Sequence, residues 1–120
     1  MRNQPKYHFF KNTSYAISGL QDVFKNETSF RIEVVIFLIL LPWIFIFDFA
    51  IVERVLMFMT LSGMLLAKVI NSAIERTVDL VTLEHHEMAK RAKDAGSAIV
   101  FISIFIFCSV WGSFLYEKLF

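Results

Sequence analysis

Four polar side chains, Lys68, Asn71, Ser72 and Glu75, mark the first place where this chain could do chemistry. They fall in Leu65–Asp79, the end of an apolar run that turns polar without a Gly or Pro to break it. At about 3.6 residues per turn, spacings of i, i+3, i+4 and i+7 put all four on one stripe of a continuous helix. Val69, Ile70, Ala73 and Ile74 keep the other faces apolar. Glu27 begins one apolar run and Glu75 ends another, so both carboxylates approach the same layer. Two carboxylates meeting there make a hard-oxygen site suited to Mg²⁺. Glu33, Asp79, Glu84, Glu87 and Asp94 lie near the same edge. Ionisable groups beside hydrocarbon are costly and are functional candidates for that reason. The plainer reading for Asp79 and Glu87 is snorkelling, or pairing with Arg31 or Arg76.

Two other stretches invite a chemical reading. Glu84-His85-His86-Glu87 has zinc-ligand residue types, but adjacent histidines do not share a helical face and no third soft ligand is near. Lys90-Arg91-Ala92-Lys93-Asp94-Ala95-Gly96-Ser97 is basic, then small. It reads either as a positive anchor at the membrane or as a turn that holds phosphates before a helix. No Walker A or G-x-G-x-x-G pattern is present, which excludes a soluble-type nucleotide fold. Cys108, the single cysteine, lies among Phe and Val and reads as a small membrane-facing or packing residue.

The elements that must position these groups follow from hydropathy. In 120 residues, 57% are hydrophobic and 14 are Phe; the mean hydropathy is +0.60. That exceeds what a soluble domain of this size needs. The fold class is an all-α membrane protein, one domain over residues 1–120, with three transmembrane helices and an amphipathic interfacial helix. Residues 7–27 form the interfacial helix: Phe9, Thr13, Ile17, Leu20 and Phe24 recur at helical spacing, with Lys11, Gln21, Asp22 and Lys25 off the stripe. Thr28 or Ser29 is the expected N-cap of the next helix. The spans are 30–48, 55–81 and 98–116, each near the length that crosses hydrocarbon. Pro42 can kink the first, Glu53-Arg54 mark a short turn, and residues 82–97 form a polar connection. Residues 1–33 lack the continuous apolar core of a cleavable leader, so the spans themselves direct insertion.

Charge sets orientation. Residues 1–33 carry Arg2, Lys6, Lys11, Lys25 and Arg31, and residues 71–97 carry Arg76, Lys90, Arg91 and Lys93. The other side has only Arg54 and Lys118. The positive-inside rule then puts the N-terminus and the polar stripe in the cytoplasm and the C-terminus outside.

Asn71–Glu75 (Asn-Ser-Ala-Ile-Glu), Asn26–Glu33 (Asn-Glu-Thr-Ser-Phe-Arg-Ile-Glu) and Ala92–Ala98 (Ala-Lys-Asp-Ala-Gly-Ser-Ala) resemble the signature segments of the prokaryotic diacylglycerol kinases. The resemblance runs from His8 to Leu115 without a gap. Gram-positive relatives that phosphorylate undecaprenol usually carry His at the position of Glu33 and lack the Gly96-Ser97 pair, so the chain resembles the Gram-negative branch. The resemblance implies a homotrimeric, multi-pass inner-membrane enzyme with sites shared between subunits and no nucleic-acid partner. Its reaction moves the γ-phosphoryl of MgATP to diacylglycerol and yields phosphatidic acid. It implies that Glu27 and Glu75 hold the metal and ATP. Tyr15, Glu84, His85, His86, Lys93 and Asp94 fall at nucleotide contacts, and Asn71 lies beside the transfer site. His8, Ser29, Phe30, Arg31, Ile32, Glu33, Ile46, Phe47, Asp48, Phe49 and Arg54 fall at lipid contacts. His8 stands where the family often has Arg.

Lys68 is the larger departure. The family segment reads Glu-Val-Ile-Asn-Ser-Ala-Ile-Glu, and its first Glu is the proposed general base for the lipid hydroxyl. A protonated lysine cannot take that proton, and a Lys68–Glu75 pair would compete with the metal for the carboxylate. Loss of a general base typically costs on the order of 10²–10⁴ in rate. The expectation is an impaired diacylglycerol kinase. The alternatives are an inactive member that binds MgATP or lipid without turnover, an undecaprenol kinase, and an unrelated transport bundle. Small drug exporters use four spans and a deep carboxylate, unlike this pattern.

Overall fold

The computed structural model describes residues 8–120, so Arg2, Lys6 and Tyr7 lie outside the described residues. In order, the helices are α1 (Phe9–Asn26), α2 (Thr28–Leu40), the short α3 (Trp43–Ile46), α4 (Ile51–Val81) and α5 (Glu87–Leu119). Among the described residues all regular structure is helical. Thr28–Ile46, Ile51–Val81 and Glu87–Leu119 are each long and apolar enough to cross a membrane. The protein is an all-α membrane protein.

Helices α4 and α5 form a long antiparallel hairpin, with α2 and α3 against α4 and with α1 touching both α2 and α4. The apolar core lies toward the end of this hairpin farthest from the polar stripe. Ile44, Phe49, Met57, Leu61 and Trp111 are buried there, packed against Phe37, Phe47, Phe107 and Phe114. The Trp111 indole N–H donates to the Met57 carbonyl at 3.0 Å, which satisfies its one polar atom inside the core. Val35, Leu38, Ile39, Phe101 and Phe105 are exposed. Such a surface is a liability in water and suits contact with acyl chains.

Several boundaries differ from the sequence expectation. The first span is not one helix over 30–48: it ends at Leu40, turns through Leu41-Pro42, and resumes over Trp43–Ile46. Proline lacks the N–H that would continue the ladder, which explains the break. Glu53 and Arg54 are not a turn but the first turn of α4. The Glu53 carboxylate accepts the Ala50 N–H at 2.9 Å. Arg54 donates to the carbonyls of Ile44 (3.2 Å) and Phe47 (3.3 Å) at the end of α3. The third helix begins at Glu87 rather than Ala98, so Gly96-Ser97 is helix interior and makes no turn.

One residue joins α1 to α2. Glu27 is extended (φ −124°, ψ 111°), and both Thr28 and Ser29 lie inside α2 rather than capping it. Helix ends leave carbonyls without intrahelical donors. Here Arg31 supplies them, reaching the carbonyls of Phe24 (2.8 Å) and Lys25 (2.7 Å) and the Thr28 hydroxyl (2.9 Å).

Candidate active site

The extended joint turns the Glu27 side chain toward α4. Its Oε1 accepts the hydroxyl of buried Ser72 at 2.5 Å, and its Oε2 pairs with Arg76 at 2.9 Å. Arg76 also pairs with Asp22 of α1. Ser72 and Arg76 are one turn apart on α4 and flank Glu75 along the same helix. The two carboxylates singled out by sequence therefore stand at one level of the bundle, Glu27 on the α1–α2 joint and Glu75 on α4.

Asn71 links this level to α5. Its Nδ2 donates to Glu75 Oε1 at 3.0 Å, while its Oδ1 is buried without a partner. It lies against buried Gly96, where an added Cβ would collide with the Asn71 amide. Gly96 thus lets α5 approach the polar stripe, a role sequence reading missed by taking the pair for a turn. The repeat of small residues Ala92, Gly96 and Ser97 within a helix-forming segment was the available signal. One turn beyond Glu75, Asp79 pairs with Lys93 of α5 at 2.7 Å, not with Arg31 or Arg76.

Glu84, His85, His86, Lys93 and Asp94 gather in a second place. With Thr82, Leu83, Ala89 and Lys90 they line an open concavity of ≈ 390 Å³ at the α4–α5 connection. His86 caps α5, its Nδ1 accepting the Met88 N–H at 3.1 Å. Asp94 pairs with Lys90 at 2.8 Å. Lys93, bound to Asp79, connects this concavity to the Asn71–Glu75 level. Tyr15 is exposed on α1 and lines neither the concavity nor the carboxylate level. The adjacent α1 residues Ala16, Gly19 and Val23 face Ser72 and Arg76 across a groove of ≈ 610 Å³.

The residues read as lipid contacts fall into groups at opposite ends. Ser29 to Glu33 lie in the first turns of α2, near Glu27, with Phe30 buried and Arg31 engaged on the end of α1. Ile46, Phe47, Asp48, Phe49 and Arg54 lie at the far end, where Phe49 belongs to the core. His8 is the N-cap of α1. Lys68 is half-buried and, among the described residues, has no ion pair with Glu75.

The donor set suits a divalent cation carried by a phosphate ligand. Among the described residues, no cluster of three or more His, Cys, Asp or Glu converges on one point. Glu27, Glu75 and the unpartnered Asn71 Oδ1 are all hard oxygens at one level. Mg²⁺ commonly takes one or two carboxylates and fills the remaining positions with phosphate oxygens and water. The residues fit that mode.

The family model for prokaryotic diacylglycerol kinase matches residues 14–115. A diacylglycerol kinase of Haemophilus influenzae is 40% identical over 109 residues, 91% of this chain and 92% of that protein. One from Pseudomonas aeruginosa is 38% identical over 103 residues, covering 86% and 84%. An undecaprenol kinase of Bacillus subtilis is 33% identical over 102 residues, covering 85% and 83%. On this match over most of its length, the chain belongs to the prokaryotic diacylglycerol kinase family, a family of membrane lipid kinases.

Proposed function

We propose that this protein transfers the γ-phosphoryl of ATP to the free hydroxyl of diacylglycerol, giving phosphatidic acid at the cytoplasmic face of the inner membrane, and that Lys68 slows it. The observation that carries the reading is the meeting of Glu27, Ser72 and Arg76 beside the Asn71–Glu75 pair, with Gly96 of α5 packed on Asn71. Three segments far apart in sequence converge there at one end of the hairpin. Two of the most similar relatives are named for diacylglycerol, which favours that lipid.

Phosphoryl transfer rests largely on positioning and charge neutralisation. Glu27 and Glu75 would hold Mg²⁺, which when bound offsets charge on the β- and γ-phosphates. Ser72 and Arg76 fix the Glu27 carboxylate, and Asn71 orients Glu75. Glu84, His85, His86, Lys93 and Asp94 offer the ≈ 390 Å³ concavity to the nucleotide, and Lys93 lies where it can meet phosphate. Tyr15, exposed on α1 outside both places, would reach the nucleotide only as a contact completed in the assembled trimer. Ser29–Glu33 and Ile46–Phe49 mark the two ends of the first span, with Arg54 beside the second group and His8 at the start of α1, as contacts to a lipid with long chains. The active form is a homotrimer with sites completed between neighbouring copies.

The deciding experiment is an ATP-to-lipid phosphate transfer assay in micelles or lipid cubic phase, with diacylglycerol and undecaprenol run separately. Transfer to diacylglycerol is expected. Transfer to undecaprenol alone would reassign the substrate. Nucleotide binding without transfer to either lipid would make the chain an inactive relative.

A further inference from the structure

Glu33 has a feature that lipid contact alone does not explain. Its Oε2 is buried and, among the described residues, has no hydrogen-bond partner. Buried acceptors left unsatisfied are costly, and the large majority are paired. The carboxyl lies on a cavity of ≈ 230 Å³ between α2, α4 and α5, walled by Phe37, Leu61, Met64, Phe107 and Cys108. The wall is almost wholly apolar. A hydroxyl carried on a hydrocarbon body matches such a site: the body fills the cavity and the hydroxyl meets the lone acceptor.

Depth agrees with this. Glu33 follows Glu27 by six residues, about 9 Å along α2 at 1.5 Å per residue. Lys68 precedes Glu75 by seven, about 10 Å along α4. Glu33 and Lys68 therefore share a level directly beneath the carboxylates. Asn71 stands one turn above Lys68, about 4–5 Å higher. A hydroxyl on Glu33 Oε2 would face a phosphoryl group held at the Asn71 level.

We propose that Glu33 accepts the proton of the lipid hydroxyl in this chain, in place of the base that Lys68 displaces. The step rests on the diacylglycerol kinase reading above. The hydroxyl O–H breaks and its proton passes to Glu33 Oε2 as the oxygen bonds to the γ-phosphorus. The bond from that phosphorus to the β–γ bridging oxygen breaks, its electron pair leaving with ADP. Glu33 then returns the proton to water.

The test is a cycle of E33Q and K68E in the full-length protein in lipid, read as kcat at saturating ATP and diacylglycerol. In the Lys68 chain, E33Q is expected to lower kcat at least 100-fold, with ATP binding retained. In the K68E background, where a carboxylate is restored at position 68, E33Q should cost less than about fivefold, since the proton then has another acceptor. E33D in the Lys68 chain should recover at least tenfold over E33Q. Equal loss in both backgrounds would mean that Glu33 only binds lipid, and would overturn the inference while leaving the kinase reading intact. So would a loss below threefold in the Lys68 chain. No transfer by the unmodified chain, with transfer by K68E, would overturn both.

Discussion

At the scale of single residues, the decisive position is Lys68. Sequence placed it on the polar stripe with Asn71 and Glu75, and helical spacing was enough for that. It also suggested a Lys68–Glu75 pair, which the structure does not form: Asn71 takes the Glu75 carboxylate. The choice could not be read from spacing, because it depends on which neighbouring helix faces each side of the stripe. Glu75 is therefore left open to a cation despite the lysine below it. Replacing Lys68→Glu is expected to raise phosphatidic acid formation from ATP and diacylglycerol at least tenfold, within the range that a general base supplies. An unchanged rate on that replacement would remove the argument that Lys68 limits the enzyme. Asn71 itself was legible in the sequence, but its unpartnered Oδ1 was not.

At the scale of elements, hydropathy disclosed three spans and amphipathic spacing disclosed α1. The charged segments were harder. Glu87–Ser97 reads as a connection by polarity, yet Met88, Ala89, Lys90, Arg91, Ala92 and Lys93 are all good helix formers, and the segment is helical. Glu53 and Arg54 read as a turn because charge interrupts an apolar run. Each instead satisfies backbone groups at a helix end, Glu53 at the start of α4 and Arg54 at the end of α3. The extension of α5 is what brings Gly96 against Asn71. Gly96→Ala would push the Asn71 amide aside, since that end of a side chain can rotate away more easily than backbone can. The expected outcome is a kcat lowered by roughly 10–100-fold with a melting temperature moved by only a few degrees, because a group far from the apolar core has shifted by an ångström or so. Differential scanning measurements beside the transfer assay check both halves, and a large fall in melting temperature would count against it.

At the scale of the whole molecule, the chain divides its work between its ends. Trp111, Met57, Ile44 and Phe49 form the apolar core at one end, and ion pairs and polar contacts gather at the other. On the distribution of Lys and Arg, we propose that the polar end faces the cytoplasm. With Cys108 replaced by Ala, a single Cys at position 48 is expected to react with an impermeant thiol reagent added outside intact spheroplasts. A single Cys at position 84 should react only after the membrane is opened; the native residues at both positions are exposed. The reverse labelling pattern would invert the topology and take the proposed site away from ATP.

The joint at Glu27 has a mechanical consequence. Helix α1 is 18 residues long, about 27 Å, and is connected to α2 through that single extended residue. It is a lever whose fulcrum is the carboxylate that Ser72 and Arg76 grip. A swing of about 10° would carry the Phe9 end roughly 5 Å through the headgroup layer, on the 1.5 Å rise per residue. The same swing would scarcely move Glu27. Bending of the bilayer surface would then be taken up at the Phe9 end of the arm, and the pivot would stay in register with α4.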